Sequence, residues 1–214
     1  MPKNGYNKSD MYKNEYPGKF IVFEGLDGSG QSTQVEKLYN FLKQKKCSVI
    51  LTKEPVYDNI SGKKIRQILR RNKQITPGNF QKLFIQNRKE HLDKLIIPSL
   101  KKNITVISDR YFWSTCAFGG INLNIEWLIR LNNSFILPDI IFYLDVPAEI
   151  CLERIKKRGD DFEFFEEKEK LTKVRQNYKE LIKRFSDTYL INGQLSREEV
   201  FKNVLIKRDR FNYE

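Results

Sequence analysis

Between an apolar run, Phe20–Phe23, and a stretch of helical spacing that opens at Ser32, the chain reads Glu24-Gly25-Leu26-Asp27-Gly28-Ser29-Gly30-Gln31-Ser32-Thr33. Gly, four residues, Gly, Lys and Ser/Thr is the spacing of a phosphate-binding P-loop, and Gly25, Gly30 and Ser32 fall in register with it. Glycines let backbone N–H groups turn inward around phosphate oxygens. A helix starting just after them aims its positive end at the same anion. Ser32 then offers a hydroxyl to a magnesium ion that travels with ATP. Position 31 breaks the pattern, because Gln31 is neutral where a lysine is called for. Charge-assisted hydrogen bonds are about twice as strong as neutral ones. Loss of a donor aimed at transition-state charge costs about 10²–10³ in rate. Three outcomes stay open: another cation compensates, turnover is slow, or the chain binds nucleotide without catalysis.

Other segments carry matching chemistry. Ser108-Asp109-Arg110-Tyr111 follows an apolar run, so Asp109 can hold magnesium and Arg110 can face an anion in the same cleft. Thr52-Lys53-Glu54-Pro55 ends another run. Phe84 and Arg88 lie four apart in a helical pattern and share a face, which suits a flat ring stacked on Phe84 with Arg88 donating to its edge.

The elements that must position these residues alternate. Strands are expected at Phe20–Phe23, Val49–Thr52, Ile104–Ser108, Ile140–Leu144 and Thr188–Ile191. Helices are expected at Ser32–Lys46, Gly62–Arg71, Pro77–Leu95, Ile125–Leu131, Ala148–Lys157, Leu171–Phe185 and Arg197–Lys207. Inward positions include Val35, Leu38 and Leu42 in the first helix, Ile65, Ile68 and Leu69 in the second, and Phe80, Leu83, Phe84, Leu92 and Leu95 in the third. Pro98 ends the third helix or begins the next turn, and a loop follows Ser108. Strand–helix alternation implies an α/β fold, a parallel sheet covered on both faces, with ligands beyond the carboxyl ends of the strands.

Composition sets the outer limits. The chain has 214 residues, 40% of them hydrophobic, which suits one domain with a substantial core and excludes wholesale disorder. No apolar run reaches the about 18–20 residues that a membrane helix needs, and the polar segment before Lys19 lacks a signal-peptide core. Met1–Tyr16 reads as a flexible lead-in. Cys47, Cys116 and Cys151 are an odd, scattered set, which points to a reducing, cytoplasmic setting rather than a disulfide framework or a zinc site. The net charge of +12 is spread along the chain; nucleic-acid binding would rest on it alone and is not expected. His91, Cys116, Trp113 and Trp127 read as packing residues.

Taken together, the motifs resemble the thymidylate kinase (dTMP kinase) family. That family shows Phe-Glu-Gly-x-Asp-Gly-x-Gly-Lys-Ser-Thr, Thr-Arg-Glu-Pro, Phe-x-x-Asp/Asn-Arg and Asp-Arg-Tyr-x-x-Ser-x-x-Ala-Tyr/Phe. The chain offers Phe23 to Thr33, Thr52 to Pro55, Phe84 to Arg88 and Asp109 to Phe118 in that order, then Leu152-Glu153-Arg154-Ile155 and Val174-Arg175-x-x-Tyr178. The resemblance implies a nucleoside-monophosphate-kinase-like P-loop domain over 17–208, with a five-stranded sheet of order 2-3-1-4-5 and a lid around 154–168. It implies phosphoryl transfer from ATP to dTMP with magnesium held by Ser32 and Asp109, and a homodimer built on the second and third helices.

The residue roles it implies follow. Gly25, Leu26, Asp27, Gly28, Ser29, Gly30, Gln31 and Ser32 wrap the ATP phosphates. Asp27 stands near the acceptor's sugar and phosphate, and Arg110 binds that 5′-phosphate. Phe84 stacks on thymine, Arg88 reaches its O4, Thr115 meets the base edge and Glu54 lines the acceptor site. Phe118 lies against the sugar and disfavours a 2′-hydroxyl. Arg154 and Arg158 stand on the lid and are the expected substitutes for the missing lysine, ahead of Lys157.

Besides Gln31, the departures are Lys53 for the arginine of Thr-Arg-Glu-Pro, which loses a bidentate fork, and the absence of an arginine between Gly159 and Lys168. A catalytically weak nucleotide-binding protein and another deoxynucleotide kinase of the same fold are the alternatives.

Overall fold

The structure is a computed structural model, described over residues 11–70, 74–159, 164–185 and 187–209. Strands β1 (Phe20–Gly25), β2 (Val49–Lys53), β3 (Thr105–Asp109), β4 (Ile140–Asp145) and β5 (Thr188–Asn192) form one parallel sheet in the order 2-3-1-4-5. Alternate residues of β1 serve opposite faces. Phe20 and Val22 join the larger apolar cluster, whereas Ile21 and Phe23 join the smaller one. Helices α1 (Gln31–Gln44) and α9 (Arg197–Asp209) close the smaller cluster through Val35, Leu38, Leu42, Val200 and Val204. The other face is covered by α4 (Ile97–Lys101), α5 (Phe112–Gly119), α6 (Ile125–Asn132), α7 (Ala148–Lys156) and α8 (Phe164–Arg184). Helices α2 (Ile60–Leu69) and α3 (Pro77–His91) pack on each other beside the strand ends.

The register fixes what the strand ends present. Asp109 pairs with Phe23 of β1 and with Lys53 of β2, while Gly25 pairs with Leu144 of β4. The residues that leave β1, β2 and β3 therefore emerge side by side.

Several sequence expectations need correction. The segment after β3 is the helix α5, not a loop. Six of its eight residues are buried, so it carries no polar stripe from which helical spacing could be read. Pro98 does not end the third helix. A π-helical turn over Leu92–Ile96, with the Ile97 N–H bonded to the Leu92 carbonyl, leads directly into α4. The shift turns Leu95 outward and buries Ile96 instead. Leu69 is likewise exposed, although Ile65 is buried as expected. The buried side chains of α3 are polar: Gln81 and Arg88 look onto a cavity, whereas Asn87 and His91 bond to the end of β2 and the segment after it. Helix α8 begins at Phe164, ahead of the expected Leu171.

The end of the lead-in is tethered. The Leu137 N–H donates to the Tyr12 carbonyl at 2.6 Å, and Asn14 Nδ2 donates to Asp139 Oδ2 at 2.6 Å. Residues 1–10, Arg71 and the lid stretch 160–163 lie outside the described residues.

Candidate active site

The phosphate cradle is the turn between β1 and α1. Gly28 and Gly30 have φ of +83° and +91°, the left-handed region that side chains rarely adopt. A Cβ on Gly28 would also stand 2.5 Å from the Cys151 carbonyl oxygen. Gly30 caps α1 without a side chain, which leaves the first-turn N–H groups to an external anion. Two buried polar atoms beside Gly25, Ser29 Oγ and Gln31 Oε1, have no hydrogen-bond partner among the described residues.

Asp109 gathers the cradle to the neighbouring strand ends. Its Oδ1 accepts from Gln31 Nε2 at 2.6 Å, and its Oδ2 accepts from Ser32 Oγ at 2.6 Å and from Lys53 Nζ at 2.9 Å. Burial raises the pKa of this carboxyl, but the Ser32 hydrogen bond and the Lys53 charge outweigh it and hold it below the usual value. Asp109 is therefore an anion at neutral pH, with both oxygens engaged.

Arg110 has φ of +77°, a conformation costly for a residue with a side chain, and its N–H is tied to the Phe23 carbonyl at 2.9 Å. That bend sends the guanidinium back over β1. Nη1 donates to the Gly25 carbonyl at 3.1 Å and to Ser114 Oγ at 2.9 Å, and Nη2 donates to Asp27 Oδ1 at 2.7 Å. The Phe118 ring lies 5.4 Å away. Behind it sits Glu24, fully buried. Glu24 accepts from the Tyr111 N–H at 2.9 Å, from Ser114 Oγ at 2.5 Å and from the Tyr178 hydroxyl at 2.9 Å. Burial pushes this carboxyl up to about 7, against the pull of Ser114, Arg110, Tyr111 and Tyr178.

A cavity of about 860 Å³ opens next to this network and is lined by Phe84, Arg88, Thr115, Phe118 and Gln81. Arg88 is 2% exposed and anchored on three sides. Its Nε donates to Glu54 Oε2 at 2.7 Å, Nη1 to Asn132 Oδ1 at 2.6 Å and Nη2 to Thr115 Oγ1 at 2.9 Å. His91 bridges Glu54 and Thr52 at 3.2 and 2.7 Å, which matches its reading as a packing residue. Asn87 clamps the segment after β2 by exchanging hydrogen bonds with the backbone of Val56 at 2.9 and 2.7 Å. Burial pushes the Cys116 thiol up to about 12, which disfavours the thiolate that a nucleophile needs.

A second cavity of about 510 Å³ covers the cradle from Leu26 to Gln34 and extends to Arg154, Lys157, Arg158, Gly193 and Arg197. Arg154 donates to the carbonyls of Gly28, Ser29 and Gly193 at 3.4, 3.2 and 3.1 Å. Arg158 is exposed on the rim. The two cavities share Asp27, Lys53 and Arg110. A phosphate-binding loop on one side, a pocket of aromatic rings and one buried arginine on the other, and two cations between them form a site for joining two phosphate-bearing molecules.

A family model described as thymidylate kinase matches residues 23–204. The chain belongs to the thymidylate kinase family. It is 40% identical over 195 residues to a probable thymidylate kinase of Thermococcus onnurineus, covering 87% of this chain and 95% of that one. A probable thymidylate kinase of Thermococcus kodakarensis is 40% identical with the same coverage. A thymidylate kinase of Desulfotalea psychrophila is 35% identical over 193 residues, 89% of this chain and 94% of its own.

Against the family pattern, the structure brings the expected residues together in two groups. Leu26 to Ser32 line one cavity, with Asp109 bonded to Ser32 behind it, Glu54, Phe84, Arg88, Thr115 and Phe118 line the other, and Arg110 and Asp27 stand between. Arg154 touches cradle carbonyls, whereas no side-chain bond links Arg158 to the cradle among the described residues. The sequence reading missed Glu24, Asn132 and the position of Lys53. A glutamate inside an apolar run could have flagged Glu24, and adjacent strand ends could have flagged Lys53. Nothing in the sequence marks Asn132, which lies 44 residues from Arg88 and meets it only through the fold.

Proposed function

We propose that the chain transfers the γ-phosphoryl group of ATP to the 5′-phosphate of dTMP, giving dTDP and ADP. The observation that carries this is the meeting of the cradle cavity and the Phe84–Arg88 cavity at Asp27, Lys53 and Arg110. Little covalent chemistry is asked of such a protein; it aligns two polyanions and balances the charge between them.

In this reading ATP lies with its phosphates on the first-turn N–H groups of α1, and Arg154 steadies the cradle from behind through its carbonyls. Arg154, Lys157 and Arg158, at the start of the expected lid, line the nucleotide cavity. The acceptor's phosphate meets Arg110, whose guanidinium Asp27, Ser114 and the Gly25 carbonyl hold in place. Thymine lies on Phe84. Arg88 has five N–H groups and engages three of them, which leaves two for the base O4. Thr115 Oγ1 accepts from Arg88 and keeps its own hydrogen for the base edge. Phe118 excludes a 2′-hydroxyl.

The oxygens of Ser32 and Asp109 fit Mg²⁺, which takes one or two protein oxygens and completes its shell with water and substrate phosphates. No cluster of three or more His, Cys, Asp or Glu that could cage a metal occurs among the described residues. When bound, the ion supplies Lewis-acid charge on the phosphate oxygens.

The protein works as a cytoplasmic homodimer in this reading. No helix among the described residues is long and apolar enough to cross a membrane. Ile60 of α2, 71% exposed, provides apolar surface for a two-fold contact. A solution mass near that of one chain, 25.5 kDa, would refute the dimer.

The test of function is a coupled ADP-release assay with dTMP, dUMP, dCMP and thymidine. Turnover is expected with dTMP well above dCMP, which presents an amino group where Arg88 needs an acceptor. Equal turnover of dCMP would refute the Phe84–Arg88 reading.

A further inference from the structure

Gln31 leaves the cradle without the cation that its pattern requires, and the structure offers one from a different strand. Lys53 is the last residue of β2, in register with Asp109, the last residue of β3. Its Nζ lies 2.9 Å from Asp109 Oδ2, an oxygen that also accepts from Ser32 Oγ at 2.6 Å. Gln31 Nε2 holds the other oxygen of the same carboxylate at 2.6 Å. The ammonium of Lys53 and the amide of Gln31 thus sit on opposite oxygens of a single side chain. A lysine at position 31, one bond longer than glutamine, would bring its own ammonium into this neighbourhood.

The other cations nearby are differently placed. Arg110 is tied to Asp27, Ser114 and the Gly25 carbonyl on the acceptor side, and Arg154 is turned to the carbonyls of Gly28, Ser29 and Gly193. Lys157, Arg158 and Arg197 line only the nucleotide cavity, and Lys170 only the other. Lys53 lines both cavities, and its side chain is 57% exposed, so its flexible stem can swing from Asp109 to a phosphate.

We infer that Lys53 is the catalytic cation that replaces the P-loop lysine, balancing charge on the phosphoryl group as it moves between the two cavities. The inference rests on the phosphoryl-transfer reading above. In the step it serves, the bond from the γ-phosphorus to the β,γ-bridging oxygen breaks and its electron pair stays on ADP. A bond forms from an oxygen of the acceptor's 5′-phosphate to the γ-phosphorus. No proton need move when that phosphate is dianionic. Lys53 then faces the equatorial oxygens, where negative charge accumulates. Gln31 keeps Asp109 in place and has no charge that would compete with Lys53 for it.

The experiment compares the native chain, Lys53→Met, Gln31→Lys and the double variant. Each is read by kcat with ATP and dTMP, and by the affinities for ADP and for ADP with aluminium fluoride in the presence of dTMP, which imitates the group in flight. Lys53→Met is expected to lower kcat by about 10²–10³. It should weaken the aluminium fluoride complex by a comparable factor and leave ADP affinity nearly unchanged. Adding Gln31→Lys to Lys53→Met should restore at least about tenfold of both losses.

If Gln31→Lys raises kcat by the same factor in the native chain as in Lys53→Met, the two cations do not share a role, and that result overturns the inference, as does native kcat in Lys53→Met. Absence of phosphoryl transfer to dTMP by the native chain would refute the proposed function instead. The fluoride complex formed with ADP alone would then still decide on Lys53: dependence on Lys53 supports the cation role, and independence overturns it.

Discussion

Glu24 should make the stability of this protein depend on pH in a sense opposite to that of most carboxylates. Burial has pushed it up to about 7 from the ordinary 4.5. Between those values the folded protein keeps a proton that the unfolded chain has released. The stabilisation tied to this group is complete below about 4.5 and is lost as pH rises through about 7. Working the two titrations through from pH 5 to pH 8 gives a loss of about 2–3 kcal/mol. Glu24→Gln keeps the shape, accepts from the Tyr111 N–H as the carboxylate does, and removes the titration. Urea unfolding of both proteins at the two pH values gives the difference between them, in which other titrating groups cancel. The variant should gain about 2–3 kcal/mol on the native protein between pH 5 and pH 8. A change below about 1 kcal/mol would mean that Arg110 and the hydrogen bonds compensate the burial fully, and the reasoning would fail.

Three further substitutions test the site. Arg110→Ala removes the charge aimed at the acceptor phosphate and should cost about 2–4 kcal/mol in kcat/KM; an unchanged value would take Arg110 out of the site. Arg88→Met leaves Glu54 buried without its guanidinium and should destabilise by about 3–5 kcal/mol in denaturant. Adding Glu54→Gln should recover part of that loss, and no recovery would argue that packing, not the orphaned charge, is responsible. Gly28→Ala forces a side chain into φ of +83° and against the Cys151 carbonyl, which should cost about 1–3 kcal/mol from the backbone alone and weaken ATP binding. A melting temperature and ATP affinity equal to the native values would refute the cradle geometry.

Much of this protein is determined by short-range pattern. Phe20–Phe23 followed by Gly25, Gly30 and Ser32 specifies a strand, a tight turn and a helix start, because those residue types suit few other conformations. The alternation of apolar runs with helical spacing then implies a parallel sheet, and the order 2-3-1-4-5 follows from the family that the motifs resemble. Helix α5 was not legible, since a helix buried almost all round has no polar face to set its period. The continuation of the third helix through Pro98 was hidden because a π-helical turn absorbs the proline. Long-range partners were out of reach for a different reason. Asn132 with Arg88, Tyr178 with Glu24, and Lys53 with Asp109 are joined only after strands and helices have packed. In the sequence Gln31 and Lys53 stand as two separate departures. Only the parallel register of β2 with β3 and of β3 with β1 carries them to one carboxylate, because hydrogen-bonded strand ends must emerge side by side.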